Sequence, residues 1–181
     1  KLNPGKGKTI PDRIEAGTFL VGGAITRGRV KITNAEPKDL KAVLEVLKAM
    51  GCTLDVGDDY VEIDARNVEL KTTNVITNPH PAFPTDMQAQ FMALLSTVPG
   101  TCIVQDNIYH DRFSHMSELQ RLGADIALND NIATINGGAG MSGAPVMASD
   151  LRASAALVLA GLVAEGETEI SRIYHMDRGY E

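Results

Sequence analysis

The stretch Asp150-Leu151-Arg152-Ala153-Ser154-Ala155-Ala156-Leu157-Val158-Leu159-Ala160-Gly161-Leu162-Val163-Ala164 decides the fold. After Arg152 it carries no charge on any face. A helix that is apolar all round is buried all round. The run is too short to cross a bilayer, which takes about 20 residues. It therefore predicts a helix inside a globular core. Met87 to Val98 is uncharged in the same way.

Two further segments begin as this one does, with an Asp and then an apolar run: Asp12-Arg13-Ile14-Glu15-Ala16 and Asp86-Met87-Gln88-Ala89-Gln90. Each run ends in a Gly that opens a β-like stretch, at Gly28, Gly100 and Gly166. The Asp-to-Gly offsets are 16, 14 and 16. Eleven residues after each Gly stands another Asp: Asp39, Asp111 and Asp177. Gly51 and Gly123 follow the first two glycines by 23 residues. So many matched offsets indicate a triplicated supersecondary unit.

Each unit reads helix, strand, helix, strand, strand. In the first, Pro37 sits in the opening turn of an amphipathic helix whose apolar face is Leu40, Val43, Leu44, Leu47 and Met50. Lys38, Lys41, Glu45 and Lys48 form its wet face, and Gly51 is its stop. Thr53–Val56 and Tyr60–Ile63 alternate around the turn 57–59 and predict a hairpin. Asp125–Leu128 and Ile132–Ile135 repeat it around 129–131. Small residues at Gly22, Ser96 and Ala160 fall ten positions after each leading Asp, and predict close helix–helix contact, which also explains the adjacent Gly23. The expected fold is α/β, with three buried helices around a pseudo-threefold axis and sheets outside. The expected division is a lead segment, 1–10, and one domain, 11–181, with units at 11–71, 72–140 and 141–181. The third unit stops where its second helix is due.

The chain has 181 residues, 44% of them hydrophobic and 22% charged, the mix of a globular protein. A net charge of −6 and only 4% aromatics argue against a nucleic-acid binder. No apolar leader or membrane span is visible. Cys52 and Cys102 make neither a disulfide framework nor a zinc motif, and are expected as reduced, half-buried residues.

A threefold arrangement brings the starts of the buried helices to one end. Helix N-termini carry unpaired N–H groups and about half a positive charge, so that end suits an anion. Arg152, Arg112 and Arg178 stand there beside Asp150, Asp111 and Asp177. Unit one has Leu40 in place of Arg112 and Arg178, so the repeat itself does not require the arginine. Two readings stand for the acids: caps and ion-pair partners, or reacting groups. Capping is the reading for Asp12, Asp39, Asp111 and Asp177. Asp86 is read as a general base, because a lead-in with three prolines, Pro79 to Thr85, holds it rigidly. Gly5-Lys6-Gly7-Lys8-Thr9 lacks the first glycine and the strand of a phosphate loop, and reads as a basic lead. Gly137-Gly138-Ala139-Gly140 reads as a linker. His80, His110, His115 and His175 show no metal spacing and are expected in surface or supporting roles.

Four strings carry a family resemblance: Pro11–Phe19, Pro79–Gln90, Asp150–Ser154, and Arg172-Ile173-Tyr174-His175-Met176-Asp177-Arg178-Gly179-Tyr180-Glu181. From Pro11 to Glu181 the chain resembles the bacterial UDP-N-acetylglucosamine 1-carboxyvinyltransferases, also called UDP-N-acetylglucosamine enolpyruvyl transferases or the MurA family. The resemblance implies an inside-out α/β barrel, one of two in the whole enzyme. It implies transfer of enolpyruvyl from phosphoenolpyruvate to the 3-hydroxyl of UDP-N-acetylglucosamine, with release of phosphate and no metal or organic cofactor. That is the first committed step of peptidoglycan synthesis, in the bacterial cytoplasm. It implies that Asp86 contacts the sugar hydroxyl as the base and that Ile108 lines the UDP-sugar site. Arg112, Arg152 and Arg178 then meet the carboxylate and phosphate of phosphoenolpyruvate.

The reactive loop cysteine and the lysine–asparagine pair of the family's other domain have no counterpart here. The chain alone is therefore expected to be inactive, with that second domain as its partner. The competing readings are an enolpyruvyl transferase with another acceptor, and a non-catalytic domain that binds anions or nucleotide sugars.

Overall fold

In the computed structural model, residues 4–180 are described, except for the side chain of Arg178. The order is α1 (Arg13–Ile25), β1 (Arg29–Thr33), α2 (Lys41–Ala49), β2 (Thr53–Val56), β3 (Tyr60–Asp64), β4 (Val75–Thr77), α3 (Gln88–Ser96), β5 (Gly100–Asp106), α4 (Met116–Arg121), β6 (Asp125–Asn129), β7 (Ile132–Gly137), β8 (Pro145–Met147), α5 (Leu151–Gly161) and β9 (Glu169–Ser171). Short 3₁₀ turns at 37–40 and 85–87 lead into α2 and α3, and another covers 173–178. Residues 4–10 form no regular element and are exposed.

The helices free of charge lie at the centre. Every residue of α3 is buried, and it packs on both α5 and α1, which also touch each other. Burying Phe91, Met92, Leu94 and Leu95 stabilises the fold by roughly 1.5–3 kcal/mol each. α1 departs from the expectation of full burial: Phe19 is exposed on its outer side, where the Tyr180 ring meets it edge-on at 6.5 Å. Gly22 and Gly23 also divide their roles. A Cβ on Gly22 would touch Leu159 of α5 at 3.4 Å, whereas one on Gly23 would press on Ile63 and Val30 at 2.8 and 3.1 Å. Only the first glycine serves helix–helix contact; the second lets the sheet approach.

The sheets lie outside these helices. The first is ordered β1-β3-β2 and is antiparallel, with Val61 and Ile63 of β3 fully buried. The second is ordered β4-β5-β7-β6, and the third is β8-β9. The hairpins β2–β3 and β6–β7 match the predicted ones, and α2 buries Leu40, Val43, Leu47 and Met50 at its ends and inner face. Two strands escape the sequence pattern, β4 and β8. Each has three residues and pairs in parallel with the strand after its helix, β5 or β9. Strands that short show no alternation to detect. Gly137 is likewise not linker but the last residue of β7. A Cβ there would collide with the carbonyl oxygens of Leu95 and Val98, so glycine is what lets β7 close over the end of α3. Cys52 and Cys102 are buried and free, deeper than expected, and burial pushes both thiols up to about 11.

Candidate active site

The starts of the central helices use their acids differently. Asp12 accepts from the Ile14 and Glu15 amides at 2.7 and 3.2 Å and caps α1. Asp150 accepts from the Arg152 and Ala153 amides at 2.8 and 3.0 Å and caps α5. Asp86 caps nothing. The chain enters α3 through the 3₁₀ turn at 85–87, whose cap position is Pro84. Asp86 thus stands two residues inside the start and is not the counterpart of Asp12, which is why its offset to the glycine was 14 and not 16. α2 and α4 open without side-chain caps, so Asp39 and Asp111 do not take the expected capping role among the described residues.

Freed from capping, Asp86 faces two arginines. Arg112 Nη1 donates to one carboxylate oxygen at 2.7 Å, and Arg152 Nη2 donates to the other at 3.1 Å. Arg152 comes from the first turn of α5 and Arg112 from the loop between β5 and α4. Partial burial opposes the charged carboxylate, but the Arg112 hydrogen bond and the charges of Arg152 and Arg112 outweigh it and hold Asp86 below the ordinary carboxylate value. Arg112 also lies 5.3 Å over the Tyr109 ring and donates to the Thr85 hydroxyl at 3.2 Å.

Asp86 is the wall between two clefts. One, of about 160 Å³, is lined by Arg13, His80, Thr85, Asp86 and Ile108. The other, of about 330 Å³, is lined by Asp86, Tyr109, Asp111 and Arg112. Ile108 thus lines the first cleft with Asp86, and Arg112 lines the second with it. Gly179 rests on Leu151, a Cβ there meeting its Cδ2 at 3.1 Å, so the 173–178 turn sits beside the start of α5. The side chain of Arg178 lies outside the described residues. The structure brings together Asp86, Ile108, Arg112 and Arg152. Larger grooves of about 590 and 630 Å³ flank α2, but neither reaches Asp86, Arg112 or Arg152.

The lead-in to Asp86 is pinned as its prolines suggest. Phe83 is buried and its ring meets Phe91 of α3 perpendicularly at 4.9 Å. Its carbonyl accepts from the Asn78 amide at 3.1 Å. The sequence reading missed Thr85, Tyr109 and Asp106 as neighbours of the site. Among the described residues, no group of three or more His, Cys, Asp or Glu side chains stands where it would hold a metal ion.

His115 takes the supporting role among the two expected for the histidines. It is 2% exposed, with Nε2 3.2 Å from the Met92 sulfur, and it supports the core instead of lying at the surface. Burial pushes its imidazole down to about 4; the Asp150 charge resists this and the Arg112 charge adds to it. The unfolded state then binds a proton that the folded state refuses between pH 6.5 and about 4. Stability should fall as pH drops through that window, by up to about 3 kcal/mol. The ring-proton NMR titration should leave His115 neutral at pH 5; a midpoint near 6.5 would contradict its burial.

The geometry defines a class first: a triplicated α/β domain whose central helices gather two arginines around one carboxylate. Among solved structures it is similar to the enolpyruvyl transferase NikO from Streptomyces tendae, with TM-score 0.86 and 28% identity over 94% of this chain and 41% of that one. It shares its fold with an EPSP synthase from Acinetobacter baumannii, with TM-score 0.71 and 20% identity over 90% of this chain and 39% of that one. The chain belongs to the EPSP synthase (3-phosphoshikimate 1-carboxyvinyltransferase) family, whose pattern matches residues 1–181. It is 54% identical to the UDP-N-acetylglucosamine 1-carboxyvinyltransferase of Desulfosudis oleivorans over 99% of its own length and 43% of that protein. The enzyme of the same name from Pseudoalteromonas atlantica is also 54% identical, over 95% of this chain and 41% of that protein. The chain spans about two fifths of the length of these relatives. No helix among the described residues is long and apolar enough to cross a membrane.

Proposed function

We propose that this chain is one lobe of an enzyme that transfers enolpyruvyl from phosphoenolpyruvate to the 3-hydroxyl of UDP-N-acetylglucosamine, releasing phosphate. In this reading it acts in the bacterial cytoplasm, at the first committed step of peptidoglycan synthesis. Residues 1–10 are a lead, and 11–71, 72–140 and 141–181 are the repeat units. The observation that carries the reading is Asp86 clamped between Arg112 and Arg152 at the start of the central helices. Relatives of that name at 54% identity favour this acceptor over others.

Both guanidinium groups are engaged by Asp86. Phosphoenolpyruvate brings a carboxylate and a phosphate that compete for Arg112 and Arg152, with Arg178 as a third cation. As the anion takes the arginines, Asp86 loses the partners that hold its proton affinity down. It becomes a better base where the sugar hydroxyl arrives, along the cleft that Ile108 lines. Asp86 takes the hydroxyl proton as the sugar oxygen bonds to C2 of the enol, and C3 gains a proton from a general acid that this reading places in the rest of the full-length protein. Return of a C3 proton to that group and departure of phosphate, which takes up the proton held by Asp86, restore the double bond of this tetrahedral adduct and regenerate both groups. Arginine forks suit the charge carried through these steps.

The test is phosphate release by the full-length protein with UDP-N-acetylglucosamine and, separately, with shikimate 3-phosphate. Turnover is expected with the nucleotide sugar alone, and none from the 181-residue chain by itself. Turnover only with shikimate 3-phosphate would reassign the acceptor. Turnover with neither would leave an anion-binding domain as the reading, and activity of the isolated chain would overturn its description as one lobe.

A further inference from the structure

We propose that Asp106 is a positioning residue of this site: its buried carboxylate, acting through the Thr85 hydroxyl, holds the Arg112 guanidinium against Asp86. The kinetic part of its test rests on the function proposed above.

Asp106 ends β5 and is fully buried. One oxygen accepts from the Thr77 hydroxyl at 2.8 Å and from the Ile108 and Tyr109 amides at 2.9 Å each. The other accepts from the Thr85 hydroxyl at 2.6 Å. Burial opposes its charge, yet the hydrogen bonds from Thr85, the Tyr109 amide, Thr77 and the Ile108 amide keep it ionised. Its backbone is latched as well: its amide donates to the Asn131 carbonyl at 3.0 Å, and Asn131 Nδ2 donates to its carbonyl at 2.9 Å.

This one carboxylate joins the two segments that build the site. Thr85 precedes Asp86 in the 3₁₀ turn. Ile108 and Tyr109 begin the loop that leads to Arg112. An ionised carboxylate has no proton to give, so the Thr85 hydroxyl must donate to it. That commits the hydroxyl proton and leaves its lone pairs for Arg112 Nη1 at 3.2 Å. The order of donation runs from Arg112 to Thr85 to Asp106, and the same Nη1 that donates to Thr85 also donates to Asp86 at 2.7 Å.

The repeat does not require this acid. Six residues after the glycine that opens each outer strand stand Asn34, Asp106 and Arg172. Asn34 and Arg172 take left-handed backbone, with φ 55° and 58°, and Asp106 does not. Unit two alone spends a buried charge here, and it is the unit that carries Asp86 and Arg112.

Asp106→Asn in the full-length protein keeps the size and one acceptor but presents an N–H to Thr85 and reverses the relay. The expected result is a fall in kcat on the order of ten- to a hundredfold, with KM for UDP-N-acetylglucosamine changed by less than about threefold. If the effect runs through Arg112, adding Asp106→Asn to Arg112→Lys costs little further activity. Full additivity, or a lower melting temperature with unchanged kcat, would reduce Asp106 to a brace of the fold and overturn the proposal. A readout independent of turnover is the Arg112 side-chain N–H resonance, assigned by its loss in Arg112→Lys. It should be sharp in the parent and broadened in Asp106→Asn, while that of Arg152 stays; an unchanged Arg112 signal would also overturn the proposal. Absence of turnover in the parent would instead count against the proposed function, and the resonance alone would then decide this one.

Discussion

Asp86→Asn in the full-length protein is expected to lower kcat by about a hundredfold to ten-thousandfold, the usual contribution of a positioned general base. The side chain keeps its shape and loses both its charge and its ability to accept a proton. The geometry adds a second sign to the prediction. Asp86 now occupies Arg112 at 2.7 Å and Arg152 at 3.1 Å. Without that carboxylate an incoming anion meets two guanidinium groups and no charged competitor. Phosphate and phosphoenolpyruvate should therefore bind the variant more tightly than the parent while turnover collapses. Calorimetric titration with phosphate, beside a phosphate-release assay, separates the two effects. A kcat within a few fold of the parent would remove Asp86 from the role of base. Weaker phosphate binding would mean that the arginines do not form the anion site.

The second large effect is on stability. Phe91→Ala should cost about 3–5 kcal/mol, the range for a fully buried aromatic truncated in a core that cannot collapse around the gap. Part of that is the perpendicular contact with Phe83, about 0.5–1.5 kcal/mol beyond area burial. For a domain of this size the loss lowers the melting temperature by roughly 10 °C. Phe83 anchors the loop ahead of Asp86, so the same variant should lose activity at temperatures where it is still folded. Thermal and denaturant unfolding of the full-length protein measure the cost. A change below about 1 kcal/mol would show that α3 is not the tightly packed centre described above.

The parts of this fold that were legible in the sequence are those with a strong one-dimensional signature. Uncharged runs at 87–98 and 153–164 placed α3 and α5 in the interior, because no solvent-facing side exists on either. Pro37 and Gly51 bracketed α2. What escaped depends on neighbours distant in sequence. β4 and β8 are strands only because β5 and β9 offer them parallel partners. Gly137 is defined by the carbonyls of Leu95 in α3 and Val98 just after it, and Gly23 by side chains of β1 and β3.

The site divides in the same way. The proline-rich lead singled out Asp86, Leu40 standing where units two and three have Arg112 and Arg178 singled out that arginine position, and Arg152 was marked by its place beside Asp150 at the start of an uncharged helix. Asp86 was nevertheless aligned with the wrong acid. The offset of 14 in place of 16 was its trace, but a spacing alone does not say that a 3₁₀ turn has moved the residue from a cap position into a cleft. His115 and Asp106 were missed because burial, and not residue type, makes them unusual. Asp106 did leave a trace, as the one acid among the three equivalent positions Asn34, Asp106 and Arg172.

The most direct measurement is the carboxyl carbon titration of Asp86 in the full-length protein, with and without phosphoenolpyruvate. The clamp predicts a midpoint below the ordinary aspartate value in the free protein, moving upward once the ligand draws Arg112 and Arg152 away. An Asp86 that titrates as a free carboxylate and ignores the ligand would contradict it.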